Sequence, residues 1–111
     1  LGDVYKRQMQ CRMFQQAVDD IDRAIRMEPK EPLYHAERAV VYYRIGEFAE
    51  ALSSAKKSAE LNPEFGDAYR LMGICQLKLN QREEGLAHLK KAAELGDESA
   101  QAILTEEETK Q

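Results

Sequence analysis

The sequence predicts an all-α fold, an α-solenoid of antiparallel helix pairs stacked in chain order. Three observations carry this. The first is self-similarity at a spacing of 34 residues: Pro29 maps onto Pro63, and Glu50–Leu61 (EALSSAKKSAEL) matches Glu84–Leu95 (EGLAHLKKAAEL) at seven of twelve places. A fixed period of this size marks helical repeats that bury their apolar faces only by stacking. The second is Pro32–Pro63, which reads as two helices folded back on each other at Ile45-Gly46-Glu47. The third is composition: Trp is absent, Pro occurs three times, and Ala, Glu, Leu, Lys and Gln abound, which favours helix throughout. With 43% apolar and 32% charged residues, the 111-residue chain has the balance of a folded domain and not of a disordered segment.

Leu1–Gln8 (LGDVYKRQ) lacks an initiator Met, and Asp3–Gln8 resembles the translation of a sequencing-library adapter. The expectation is that residues 1–8 are non-native and that the natural chain extends upstream of Met9. The competing reading is a helix in which Leu1, Val4, Tyr5 and Met9 share one face. Residues 9–30 then form a partial first repeat. Phe14, Ala17, Val18, Ile21, Ala24 and Ile25 fall at helical spacing, so Phe14–Glu28 is the second helix of that repeat. Its partner is whatever Leu1–Met13 forms.

Pro29-Lys30-Glu31-Pro32 breaks the helix, and Pro32 suits the first turn of the next one, where no intrahelical donor is needed. The second repeat spans residues 31–64. Tyr34, Arg38, Ala39, Tyr42 and Ile45 line one side of its first helix, which Gly46 ends in the left-handed conformation. Glu47 and Glu50 occupy the positions of a capping pair before the stripe Phe48, Ala51, Leu52, Ala55 and Ala59. The third repeat, residues 65–96, follows the same plan, with Asn80 in the place of Gly46 and Gly73 as a small contact residue. Gly96-Asp97 stands where a proline is due. Asp97 caps a last helix over residues 97–105, and residues 106–111 are expected to fray.

These residues resemble the tetratricopeptide repeat signature, W-x₂-L-G-x₂-Y, then A-x₃-F, then P. In the second repeat those places are held by His35, Arg38, Ala39, Tyr42, Ala51, Ala55 and Pro63. In the third they are Tyr69, Met72, Gly73, Gln76, Gly85, Leu89 and Asp97, and the first retains Ala17, Ile21 and Pro29. About two and a half repeats and a capping helix are therefore expected. The resemblance implies a right-handed superhelix whose inner groove, lined by the first helix of each repeat, holds a peptide segment. Mapped onto this chain, the groove residues are Leu33, Glu37, Val40, Tyr43 and Arg44 from one repeat and Arg70, Leu71, Ile74, Leu77 and Lys78 from the next. Independently of the resemblance, Val40, Tyr43, Ile74 and Leu77 are apolar yet lie off the stripe that packs each pair, and such surplus apolar surface marks contact sites.

The expected function is a non-catalytic module binding a peptide or protein segment; the alternative is a structural segment of a longer repeat protein with no groove ligand of its own. Some members of the resembled family clamp the terminal carboxylate of a chaperone tail with Lys, Asn and Arg. Here Glu37 stands in place of the Asn, and Asp67 and Leu71 in place of the Lys and Arg, so no such clamp is expected. A net charge of −4 with interleaved signs argues against nucleic acid. No apolar run nears the ~20 residues of a membrane span. Cys11 and Cys75 have no CxxC spacing, His35 and His88 stand singly, and no nucleophile elbow, phosphate loop or paired-acid site is present. No enzyme activity, cofactor or metal is therefore expected. Two cysteines without a pairing pattern lean slightly toward a reducing, cytoplasmic setting, and an upstream signal peptide stays open as the alternative.

Overall fold

The computed structural model describes residues 2–110 and, within them, every side chain except those of residues 3, 5–7 and 9–11. The readings at Leu1, Tyr5, Met9, Cys11 and Gln111 lie outside the described residues and side chains. Six helices succeed one another: α1 (Gly2–Met27), α2 (Pro32–Ile45), α3 (Phe48–Leu61), α4 (Gly66–Lys78), α5 (Arg82–Glu94) and α6 (Glu98–Thr109). Each packs on its neighbours in chain order, with α2 on α3 and α4 on α5 as the two tight pairs.

Why each helix starts and stops is written locally. Glu31 accepts from the Leu33 backbone N–H at 3.4 Å, and Pro32 opens α2. At its far end Gly46 has φ +94°, with its N–H directed at Tyr43 O (3.1 Å) and the Glu47 N–H at Tyr42 O (2.9 Å). This paired closure satisfies two carbonyls that the helix leaves open. Asn80 (φ +63°) repeats it one period later, where the Gln81 N–H reaches Gln76 O at 2.8 Å. The Glu47 side chain makes no capping bond, so the expected capping pair at α3 is absent. Asp97 does cap α6, accepting from Ala100 N at 3.1 Å.

Two stretches differ from the sequence reading. The first repeat has no hairpin: α1 is one helix of 26 residues. No proline or glycine lies between Asp3 and Met27, so nothing interrupts the backbone ladder. It rests on α2 through buried Val18 and through Arg38, whose Nε lies 2.9 Å from Asp22 Oδ1. That N–H is poorly aligned with the oxygen, so the contact is a charge pair and not a hydrogen bond. The same guanidinium sits 5.1 Å from the Tyr42 ring centroid. The second difference is α6, which continues four residues past 105 to Thr109 because Glu107 is held from outside the helix, as described below.

Small residues set the spacing of the pairs. Ala39, Ala51 and Ala55 are fully buried at the α2–α3 contact. Between α4 and α5 the approach is closer still. A Cβ added to Gly73 would stand 2.8 Å from Gly85 O and 2.7 Å from Leu89 Cγ, and one added to Gly85 would stand 2.9 Å from Gly73 O. The two glycines face each other across the contact, and backbone cannot move aside as a side-chain tip can. Leu89 fills the space around them and is fully buried. We expect Gly73→Ala or Gly85→Ala to lower the stability of the domain by about 1–3 kcal/mol, read as a shifted urea midpoint with unchanged slope. Native-like midpoints in both variants would show that the contact is looser than described.

Candidate functional site

The face formed by α2 and α4 carries the largest concentration of candidate residues. Tyr43 comes from α2, Ile74, Leu77 and Lys78 from α4, Asn80 and Arg82 from the turn and start of α5, and Ile103, Glu106 and Glu107 from α6. Together they surround an open cavity of about 500 Å³. Four of the ten groove residues proposed from sequence meet there. Tyr43 is half-buried, its ring tilted against Phe48 at a centroid distance of 5.4 Å. Ile74 and Leu77 lean on the Leu89 core with part of their surface free. Lys78 is exposed.

The other six candidates divide. Leu33 (49% exposed), Glu37 and Arg44 are open to solvent on α2, and Val40 is half-buried against the core. Leu71 is corrected: it is only 7% exposed, inside the α2–α3–α4 core, so it offers no surface to a ligand. Arg70 has a different employment. Its guanidinium contacts Asp97 at 2.5 Å and Asp67 at 3.2 Å. Because Asp97 is nearly buried and caps α6, Arg70 ties the start of that helix to α4.

Sequence reasoning missed α6 as a wall of this site. Arg82 Nη1 donates to Glu107 Oε2 at 2.7 Å, and Nη2 donates to the Glu107 carbonyl at 3.2 Å. Lys110 adds a contact at 3.3 Å. The Arg82 and Lys110 bonds hold the Glu107 carboxyl below the usual glutamate range. The signal was present in the charge pattern of Glu106–Lys110, but only the return of α6 beside the start of α5 brings Arg82 to it.

Titratable side chains away from this face serve the fold. His35 is buried, with Nε2 3.1 Å from Pro29 O, which fastens the α1–α2 turn. The buried Gln76 amide, oriented to donate, reaches His88 Nδ1 at 2.6 Å and two backbone carbonyls at 3.3 Å. Burial lowers the His88 pKa, consistent with a neutral ring accepting that bond. Burial likewise pushes the Cys75 thiol up to about 11, far from the thiolate that reactive cysteines need. No helix among the described residues is long and apolar enough to cross a membrane.

A pH dependence follows from Glu107. Its folded pKa is depressed, so the stabilisation it lends α6 is complete above the ordinary glutamate value and is lost as pH falls through the folded value. Amide exchange over residues 105–109 is therefore expected to quicken as the solution is acidified below the glutamate range, ahead of residues 98–104. Equal protection of both stretches throughout would count against the Arg82–Glu107 tie.

Comparison with known proteins agrees with this architecture. Residues 32–65 match the tetratricopeptide repeat family model. The chain is 26% identical over 87 residues to small glutamine-rich tetratricopeptide repeat-containing protein 2 of Mycosarcoma maydis, covering 78% of this chain and 25% of that protein. It is 33% identical over 93 residues to Hsp70-Hsp90 organizing protein 2 of Arabidopsis thaliana, covering 84% of this chain and 16% of that one. The chain thus spans a quarter or less of these relatives. Among solved structures, the first repeat domain of Spaghetti (RPAP3), bound to the HSP90 peptide SRMEEVD, superposes with a TM-score of 0.80 at 25% identity, over 95% of this chain and 82% of that one.

That last likeness corrects one expectation. Absence of a chaperone-type carboxylate clamp was inferred from acids at Glu37 and Asp67 and from Leu71, yet a domain this similar is seen holding a chaperone peptide. The physical reason lies in what those positions report. Leu71 is buried and says nothing about groove charge, Asp67 lies 3.2 Å from an Arg70 that it shares with Asp97, and the cavity is lined by Lys78 and Arg82 together with Glu106 and Glu107.

Proposed function

This chain is a tetratricopeptide repeat protein by its matched repeat and its fold, and on that premise we propose that it binds an acidic peptide segment of the chaperone-tail type along the α2–α4 face. The observation that carries the reading is the convergence of Tyr43, Ile74, Leu77 and Lys78, with Arg82, on one open cavity. Apolar side chains there offer a seat for a side chain of the ligand, and the exposed Lys78 favours a carboxylate, while Arg82 is held by Glu107 and Glu106 lines the same cavity. Leu33, Glu37, Val40 and Arg44 extend the same face along α2, where Arg44 adds a second exposed cation. The Hsp70-Hsp90 organizing protein among the relatives and the peptide-bound RPAP3 domain support a protein-interaction role of this kind.

A structural role within a longer solenoid has one observation in its favour. Met13 (63% exposed), Met27 (80%) and Leu33 (49%) leave apolar surface on α1 and the start of α2, against which a further helix pair would stack.

The two readings part in a binding experiment with labelled SRMEEVD peptide. Tyr43→Ala combined with Lys78→Glu is expected to weaken binding about tenfold or more, with the thermal melt close to that of the native chain. Both residues are chosen because they carry less of the core than Leu77. Unaltered affinity in the double variant would place the ligand elsewhere, and no binding by the native chain would favour the structural role.

A further inference from the structure

We propose that the last turn of α6 is a built-in competitor for the acidic ligand of this groove, with Glu107 occupying the Arg82 guanidinium that an incoming carboxylate would take. The inference rests on the groove reading above and adds its regulation. Arg82 is one of the two cations lining the cavity, and it is not free: Glu107 engages it through both its carboxylate and its carbonyl. Lys78, the other cation, is exposed and has no such partner among the described residues.

The two ends of α6 are held very differently. Its start is anchored by the nearly buried Asp97, by Arg70 and by the buried Ala100 and Leu104. Among the described residues beyond Leu104, all but Glu107 are exposed. The hydroxyls of Thr105 and Thr109 bond back into their own helix. Among the described residues, Arg82 is the one group from another helix that hydrogen-bonds this turn, while Lys110, the residue after α6, adds an exposed contact to Glu107 at 3.3 Å. A helix end tied to its neighbour by one half-exposed ion pair opens easily, since such pairs are weak and salt-screened. That weakness suits a competitor, because a tight tie would never yield to a ligand.

Geometry gives opening a second consequence. Arg82 and Glu107 form the partition between the groove cavity and a smaller cleft of about 170 Å³ lined also by Leu86, Lys90, Leu104 and Glu108. Parting them joins the two spaces and brings Lys90, with Glu108 beside it, to the edge of the seat. A ligand carboxylate that displaces Glu107 therefore meets a longer seat in which the Arg82 guanidinium has been released.

The test compares native chain, Glu107→Gln and Glu108→Gln for binding of labelled SRMEEVD peptide at low salt, with amide exchange followed over residues 105–109. Glu108 is exposed and lines the smaller cleft, but it makes no hydrogen bond or ion pair to Arg82 among the described residues, so its variant makes the same change in net charge beside the site without releasing Arg82. The expected result is that Glu107→Gln binds about threefold tighter than both others, that the gain disappears near 1 M salt, and that exchange quickens only in this variant. Tighter binding by Glu107→Gln when the native chain binds undetectably would support the proposal equally. If the native chain binds and Glu107→Gln is no tighter than Glu108→Gln, the competitor is overturned and the groove reading stands. If neither native nor Glu107→Gln binds, while exchange shows the turn released, both the competitor and the groove reading are overturned.

Discussion

At Gly73 and Gly85 two helices touch backbone to backbone, and the rest of the stack is built outward from that contact. With no Cβ on either residue, α4 and α5 approach until each glycine's carbonyl crowds the place where the other's side chain would be. Leu89 closes the space around them, and its burial joins the pair to α6 through Ala92, Ala100 and Leu104. One period earlier the contact between α2 and α3 uses Ala39, Ala51 and Ala55 to the same end, one methyl group wider. No pair buries its apolar side alone, so the small residues set both how tightly a pair closes and where the next pair leans.

Charge is distributed with similar economy. Three arginines on the helices that flank the groove are each committed to an acid on a neighbouring helix: Arg38 to Asp22, Arg70 to Asp97 and Arg82 to Glu107. The first two are fastenings of the fold, because Asp97 is nearly buried and Arg38 is boxed in by Tyr42. The third is different in kind, since its arginine lines the cavity and its acid sits on a turn with no apolar anchor.

This pairing also explains why reading three positions for a carboxylate clamp misled. A residue's sign along the sequence says what charge it brings, and its partner decides what a ligand feels. Asp67 stands beside Arg70, which it shares with Asp97, and Leu71 looks like a lost cation until its burial removes it from the surface. The field over the groove is the sum over both.

The sequence by itself determined the helices from α2 to α6, the breaks between them and their order, though not the length of α1 or the last turn of α6. The 34-residue period, Pro32, Gly46, Asn80 and Asp97 act within a few residues of themselves, through fixed φ, left-handed conformation or a capping oxygen, so their effects are legible without the fold. It also marked Val40, Tyr43, Ile74 and Leu77, because surplus apolar residues off a packing stripe are visible in the pattern, and the last three line the cavity; Lys78 came from the family resemblance. Only the tertiary structure decided the fates of Leu71, Arg70 and Glu107. Each depends on a partner some 25 or more residues away or on which side of a helix the next layer covers, and side-chain periodicity says nothing of either. Local chemistry fixes the elements; contacts between distant residues decide which side chains remain for a ligand.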